Sequence, residues 1–366
     1  LPGADEPAPV LYEVINAGTA TGLTSNGEVV TYAVNTATNT LTATAGTRTV
    51  FTFVVDKATG QATFDLNDQL DHDVTDAAQA GDAGQLTVDL GSWLQASVTD
   101  ADGDVVTQGL AGLVSVSVEN DVPTLSLTES TVSGAVQEDA LGSTTLGNTA
   151  DMDLSDGIAE GPVTDVAVLD LSGLVTSLPG ADEPAPVLYE VINAGAATGL
   201  TSKGAVVTYA VDTATNTLTA SAGGRVVFTF VVDKATGQAT FDLNDQLDHG
   251  PGSGDGATLP VDLGAWVQAG VTDADGDTVT VPLTGLITVS VENDVPVLSL
   301  SATGVSGAVQ EDALQTAAGD LSDGIAEGPV TDVAVLDLSG LVTSAPGADE
   351  PAPVQYEVIN AGAATG

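Results

Sequence analysis

The sequence predicts an all-β chain, built as an elongated array of tandem antiparallel β-sandwich repeats. Three observations predict this. Long stretches recur almost unchanged along the 366 residues. Apolar and polar residues alternate with period two in β-branched segments. Short runs are punctuated throughout by 42 Gly and 16 Pro, while no segment sustains a 3.6-residue apolar period.

The repetition comes first. Residues 1–72 and 178–249 align without a gap and differ only at positions 19, 26, 28, 35, 44, 47 and 49 of the first copy. Asp153–Ser177 returns unchanged as Asp320–Ser344. Val118-Glu119-Asn120-Asp121-Val122-Pro123 returns as Val291-Glu292-Asn293-Asp294-Val295-Pro296, and its proline suits a short linker. The expected organisation is the back part of one repeat in 1–123, a complete repeat in 124–296 and the front of a third in 297–366. The chain reads as a piece of a longer protein. Variable stretches after His72 and around Thr144–Met152 are expected to be surface loops.

Expected strands include Val29–Val34, Thr49–Val55, Gln61–Leu66 and Leu113–Val118, with counterparts in the second copy. Asp56-Lys57-Ala58-Thr59-Gly60 is expected to close a hairpin, with Gly at a positive-φ position. Many short strands separated by turns point to immunoglobulin-like or cadherin-like sandwiches.

Charge then narrows the function. There are 51 Asp and Glu against 5 Lys and Arg, a formal net charge of −46. Nucleic acid is excluded as a partner, because a phosphate backbone is bound through Lys and Arg. No apolar run has the length of a membrane span, so no membrane insertion is expected. The absence of Cys removes disulfides and thiol chemistry. Hard divalent cations are the natural complement to such a chain.

The sharpest local signal is Thr99-Asp100-Ala101-Asp102-Gly103-Asp104, repeated as Thr272-Asp273-Ala274-Asp275-Gly276-Asp277. Three carboxylates at alternate positions around a Gly can curl onto one cation. An ordinary polar turn uses the same residue types; the net charge favours Ca2+. Candidate ligands are therefore Asp100, Asp102, Asp104, Asp273, Asp275 and Asp277. The linker residues Glu119, Asn120, Asp121, Glu292, Asn293 and Asp294 are added for their place at presumed joints. So are Glu138 and Asp139, with their repeats Glu311 and Asp312. Asp273–Asp277 is expected to face the preceding Glu119–Asp121 rather than its own exit at Glu292–Asp294, unless Leu283-Thr284-Gly285 turns the chain back. Asp153, Asp156, Glu160, Asp165 and the Asp5-Glu6 pair read as surface charge, with metal binding as the alternative.

No catalytic constellation is expected. His72 and His249 stand one per repeat without partners for catalysis or zinc, and read as structural. Trp93 and Trp266 read as core residues rather than sugar platforms.

Several runs in fixed order carry a family resemblance: Val29–Val34, Thr40–Ala43, Val50–Asp56, Phe64–His72, Thr99–Asp104 and Val118–Pro123. Together they resemble the large tandem repeats of type I-secreted RTX adhesins, the type I secretion "143" repeat class of giant bacterial surface and biofilm proteins. The resemblance implies calcium-stiffened extender modules, outside the cell at its surface, that carry an adhesive tip. The alternatives are a self-assembling extracellular fibre or surface-layer subunit, and a module binding glycans or a partner cell. Expected partners are neighbouring repeats, like chains in a fibre, or surface glycans.

Overall fold

In the computed structural model, residues 9–15, 22–76, 79–141, 164–181, 186–192, 199–254, 256–316, 319–320, 331–345, 348 and 354–359 are described. Among them the chain is mostly β, with several antiparallel sheets and no α-helix. Two apolar clusters form. One draws on residues between Val14 and Val118, the other on residues between Val136 and Val291. We refer to these as the first and second units.

Each unit holds a five-stranded sheet. In the first, the order is Thr24–Ser25, Glu28–Asn35, Thr40–Ala45, Arg48–Val55 and Ala62–Leu66. Alternation explains most of it: Leu41, Ala43 and Ala45 are buried while the intervening Thr residues face outward. Arg48–Val55 departs from strict alternation, since Val50 and Phe51 are consecutive and both buried. A bulge opposite Ala43 and Thr44 absorbs the extra residue and turns both side chains inward. The Asp56 hairpin forms as the sequence indicates. Asp56 Oδ1 accepts from the Ala58 and Thr59 N–H groups at 3.0 and 2.8 Å, and Gly60 takes φ +71°. A side chain at Gly60 would also strike the Tyr12 ring, at 2.7 Å.

The element that positions the candidate site is a long antiparallel arm. In the second unit Thr258–Asp262 pairs with Ile287–Glu292, and Val267–Thr272 pairs with Thr278–Pro282. Register is constant along the arm, from Thr258↔Glu292 and Asp262↔Thr288 to Gln268↔Pro282 and Thr272↔Thr278. Between the halves, Gly264–Trp266 makes one 3-10 turn. Only Gly fits at 264, because a Cβ there would lie 2.2 Å from the Leu283 carbonyl oxygen. This kink carries the arm from one sheet to another. Its outer half joins Val187–Val191, and its inner half joins Val132–Gln137. The latter pair is parallel, an exception to the antiparallel expectation. Leu283-Thr284-Gly285 therefore makes no hairpin, and the arm runs on to its tip at residues 273–277. The first unit repeats the arm, with Gln85↔Glu119 at one end and Thr99↔Val105 at the other.

Trp93 and Trp266 sit at the kinks, buried, with ring centroids 4.9 and 4.7 Å from Tyr32 and Tyr209. They are core residues, as the sequence indicates. Each ring that is fully buried contributes about 1.5–3 kcal/mol. By contrast, all five Lys and Arg side chains stand in partly exposed ion pairs, such as Lys57–Glu13 and Lys234–Glu190. Pairs of that kind contribute about 1 kcal/mol or less each, so apolar packing holds the units together.

Candidate metal centre

The two arm tips carry the Asp-Ala-Asp-Gly-Asp loops. In each, the first Asp folds the loop about its own carboxylate. Asp273 Oδ1 accepts from the Gly276 and Asp277 N–H groups at 3.0 and 2.8 Å. Asp100 Oδ1 does the same for Gly103 and Asp104, at 3.1 and 2.8 Å. Gly103 and Gly276 take φ of +100° and +108°, a region that side-chain-bearing residues avoid. In both loops one carboxylate oxygen from each Asp lies within 4.8 Å of the others. These are the two acidic triads that could hold an ion among the described residues.

Their surroundings differ. The Asp100 loop is largely exposed, and a hydrogen bond with the Asp102 side chain holds the Asp100 carboxyl below its ordinary value. The Asp273 loop is packed against the first unit. The His72 backbone N–H donates to Asp275 Oδ2 at 3.0 Å, and Asn120 Nδ2 donates to Asp277 Oδ2 at 2.6 Å. The Asp275 side chain is wholly buried. Burial first, and the Asp275 carboxyl second, push Asp273 up to about 7.

Three buried oxygens here have no hydrogen-bond donor among the described residues: Asp273 Oδ2, Asp275 Oδ1 and Asn120 Oδ1. Leaving such groups unpaired is expensive. Carboxylate and amide oxygens are the donors that a hard cation takes, so this triad could hold a metal ion.

The remaining candidates take other places. Glu119 Oε2 and Glu292 Oε2 accept from Gln85 and Gln137 at 3.0 and 3.1 Å. Asn293 Nδ2 reaches the Gly254 carbonyl at 3.4 Å. Asp121 Oδ2 accepts from the Ala181 N–H at 2.8 Å, and Asp294 Oδ2 from the equivalent Ala348 N–H at 2.6 Å. The linker Asp thus accepts from an alanine N–H lying 60 or 54 residues further along the chain. Glu138 and Asp139 lie buried in a 3-10 turn. Glu138 Oε1 accepts from Leu247 N–H at 2.7 Å, and its Oε2 lies 3.7 Å from His249 Nδ1. Glu311 repeats that turn in exposed form; the side chain of Asp312 lies outside the described residues.

Both histidine rings are held by backbone. His72 Nδ1 and Nε2 face the Leu70 and Val118 carbonyls at 2.9 and 3.2 Å, and His249 faces those of Leu247 and Val291.

One residue is corrected outright. Asp165, read from the sequence as surface charge, is buried, and neither carboxylate oxygen has a hydrogen-bond partner among the described residues. Asp5, Glu6, Asp153, Asp156 and Glu160 lie outside the described residues. The period-two pattern Asp165, Ala167, Leu169 was the available signal, since the latter two are core residues. Burial, followed by the nearby Asp242 charge, raises the Asp165 carboxyl above its ordinary 3.8. Its contribution to stability is therefore greatest below that value and is lost as pH rises through the raised one. Asp165→Asn is expected to raise stability at pH 7 by about 1 kcal/mol, since a neutral amide is cheaper to bury than a charge. It should also flatten the change between pH 4 and pH 7. Urea midpoints at the two pH values check this, and a less stable variant at pH 7 would contradict it.

With this geometry in hand, comparison with known proteins adds one family. Residues 2–111 and 135–284 match a family described as a domain of unknown function (DUF5801). The chain belongs to the DUF5801 family. That description assigns DUF5801 no activity and no repeat type, and no curated protein matches the chain.

Proposed function

We propose that this DUF5801 chain is a run of calcium-stiffened extender repeats from a giant secreted cell-surface adhesin, each repeat an immunoglobulin-like sandwich. The observation that carries the reading is the joint. The arm tip of the second unit buries Asp273 and Asp275 against His72 and Asn120 of the first, with three oxygens lacking donors. A cation there would be bound by both units together and would fix their relative orientation, turning a hinged pair into a rod. The resemblance to RTX adhesin repeats supports the extracellular setting, where calcium is abundant. A catalytic role is not proposed, because neither histidine offers a ring nitrogen clear of backbone carbonyls.

Small-angle scattering tests the reading. With calcium the chain should show a longer maximum dimension and a narrower spread of conformations than with chelator. Superimposable curves in the two conditions would refute calcium stiffening.

A further inference from the structure

Two equivalent strands differ at the one position that decides whether a sheet edge is open. Gln85–Asp89 pairs with Ser115–Glu119, and its repeat Thr258–Asp262 pairs with Ile287–Glu292 in the same register. Among the described residues each has a strand neighbour on one side only, so each is an edge of its sheet. In the second unit Val132–Gln137 adds on the far side of Ile287–Glu292 and leaves this edge as it is.

The pairing fixes what the edge presents. The Asn120 N–H donates to the Gly84 carbonyl and the Leu90 N–H to that of Val114, both at 2.9 Å. Antiparallel residues alternate in direction, so the backbone groups of Gln85, Thr87 and Asp89 point outward. In the second unit the central outward position is Pro260, opposite Ser290 as Thr87 is opposite Ser117. Proline has no N–H to offer and bars a further strand there. Thr87 leaves the same edge able to donate and accept.

We infer that two copies of this chain join through the Gln85–Asp89 edges of their first units, antiparallel and centred on Thr87. The partner is a second copy because the strand is complementary to itself in that register. Thr87 meets Thr87, a favourable cross-strand pair. Gln85 meets Asp89, an amide facing a carboxylate. Asp89 Oδ1 already accepts from the Gly91 N–H at 2.9 Å, and Gln85 Nε2 donates to Glu119 Oε2 at 3.0 Å. One carboxylate oxygen and one amide hydrogen are left for the contact. Leu86 and Val88 are buried within their own unit, so main-chain hydrogen bonds rather than apolar area hold the pair. A two-fold contact closes on itself, and Pro260 bars the second edge, so association stops at the dimer. The net charge of −46 opposes association, and added salt strengthens it.

Sedimentation of the whole chain should show a monomer–dimer equilibrium that moves toward dimer as salt is added. T87P should remain monomeric at concentrations where the parent is half dimeric. The repeated strand holds Pro260 in this register, so the fold accepts proline there. Cysteine variants test the register, since the chain lacks Cys. Across the two-fold the Thr87 Cα atoms would lie about 5.5 Å apart, within disulfide range. The Gln85 Cα atoms would lie about 14 Å apart. Oxidised T87C should therefore form covalent dimers, and Q85C at least tenfold fewer. Four results would each overturn the inference: a parent chain monomeric at all concentrations and salt levels, a T87P dimer as tight as the parent's, equal yields for the two cysteine variants, or assembly that continues beyond the dimer.

Discussion

Chelation should lower the melting temperature of the second unit by about 5–10 °C relative to saturating calcium. Binding to the native state alone adds about 2.7 kcal/mol at a hundredfold excess over Kd. For a unit of this size each kcal/mol moves the midpoint by about 2–4 °C. Asp275→Asn gives the sharper test, because its effect changes sign with conditions. The Oδ2 acceptor for the His72 N–H is kept, while the buried, donor-less Oδ1 becomes an amide nitrogen that can donate to Asp273. The variant should therefore melt above the parent in chelator and lose most of the gain from calcium. Asp273 adds a pH signature. Its ordinary value is 3.8 and its folded value about 7, so without calcium the folded state takes up a proton as pH falls between them and grows more stable. With calcium the proton competes with the ion. Identical melting curves with calcium and chelator would rule out the site.

Asn216→Ala should destabilise the second unit by about 3–5 kcal/mol, the second large effect. The residue is buried, at φ +54°. Its Oδ1 accepts from the Val191 N–H at 2.7 Å, and its Nδ2 donates to the Tyr189 and Val232 carbonyls at 2.9 and 2.7 Å. One side chain thus joins the strand Val187–Val191 to the five-stranded sheet. Removing it strands three buried backbone groups, each costing about 1–3 kcal/mol, with the sum reduced by local rearrangement. Ala also pays about 1 kcal/mol to hold the left-handed backbone. Asn216→Gly should recover about that last amount, since Gly adopts positive φ freely. Differential scanning calorimetry resolves the effect. Asn39 makes the equivalent contacts in the first unit and is untouched, so the transition should split. An unsplit, unshifted transition would contradict the argument.

Much of the fold could be read in the sequence, because its signals are local. Alternation and β-branched residues in Val29–Val34 and Thr49–Val55 marked strands, observed as Glu28–Asn35 and Arg48–Val55. Asp56 and Gly60 marked a hairpin through one carboxylate and one positive-φ residue. The acidic triads announced themselves by spacing, since three carboxylates at alternate positions converge whenever the loop curls. The Val50–Phe51 bulge and the kink at Gly264 were not legible, as both answer to atoms on a facing strand.

What the sequence by itself determined is where the strands lie, that the unit repeats, and which loops gather carboxylates. Only the tertiary structure decided which of those loops is buried. Asp100–Asp104 and Asp273–Asp277 have identical residues, yet one faces solvent and the other is pressed on His72 and Asn120, more than 150 residues away along the chain. Backbone conformation follows from steric and hydrogen-bonding preferences within a few residues. Desolvation, and with it the raised carboxyl of Asp273 and the donor-less oxygens around it, depends on which surfaces distant segments bring into contact.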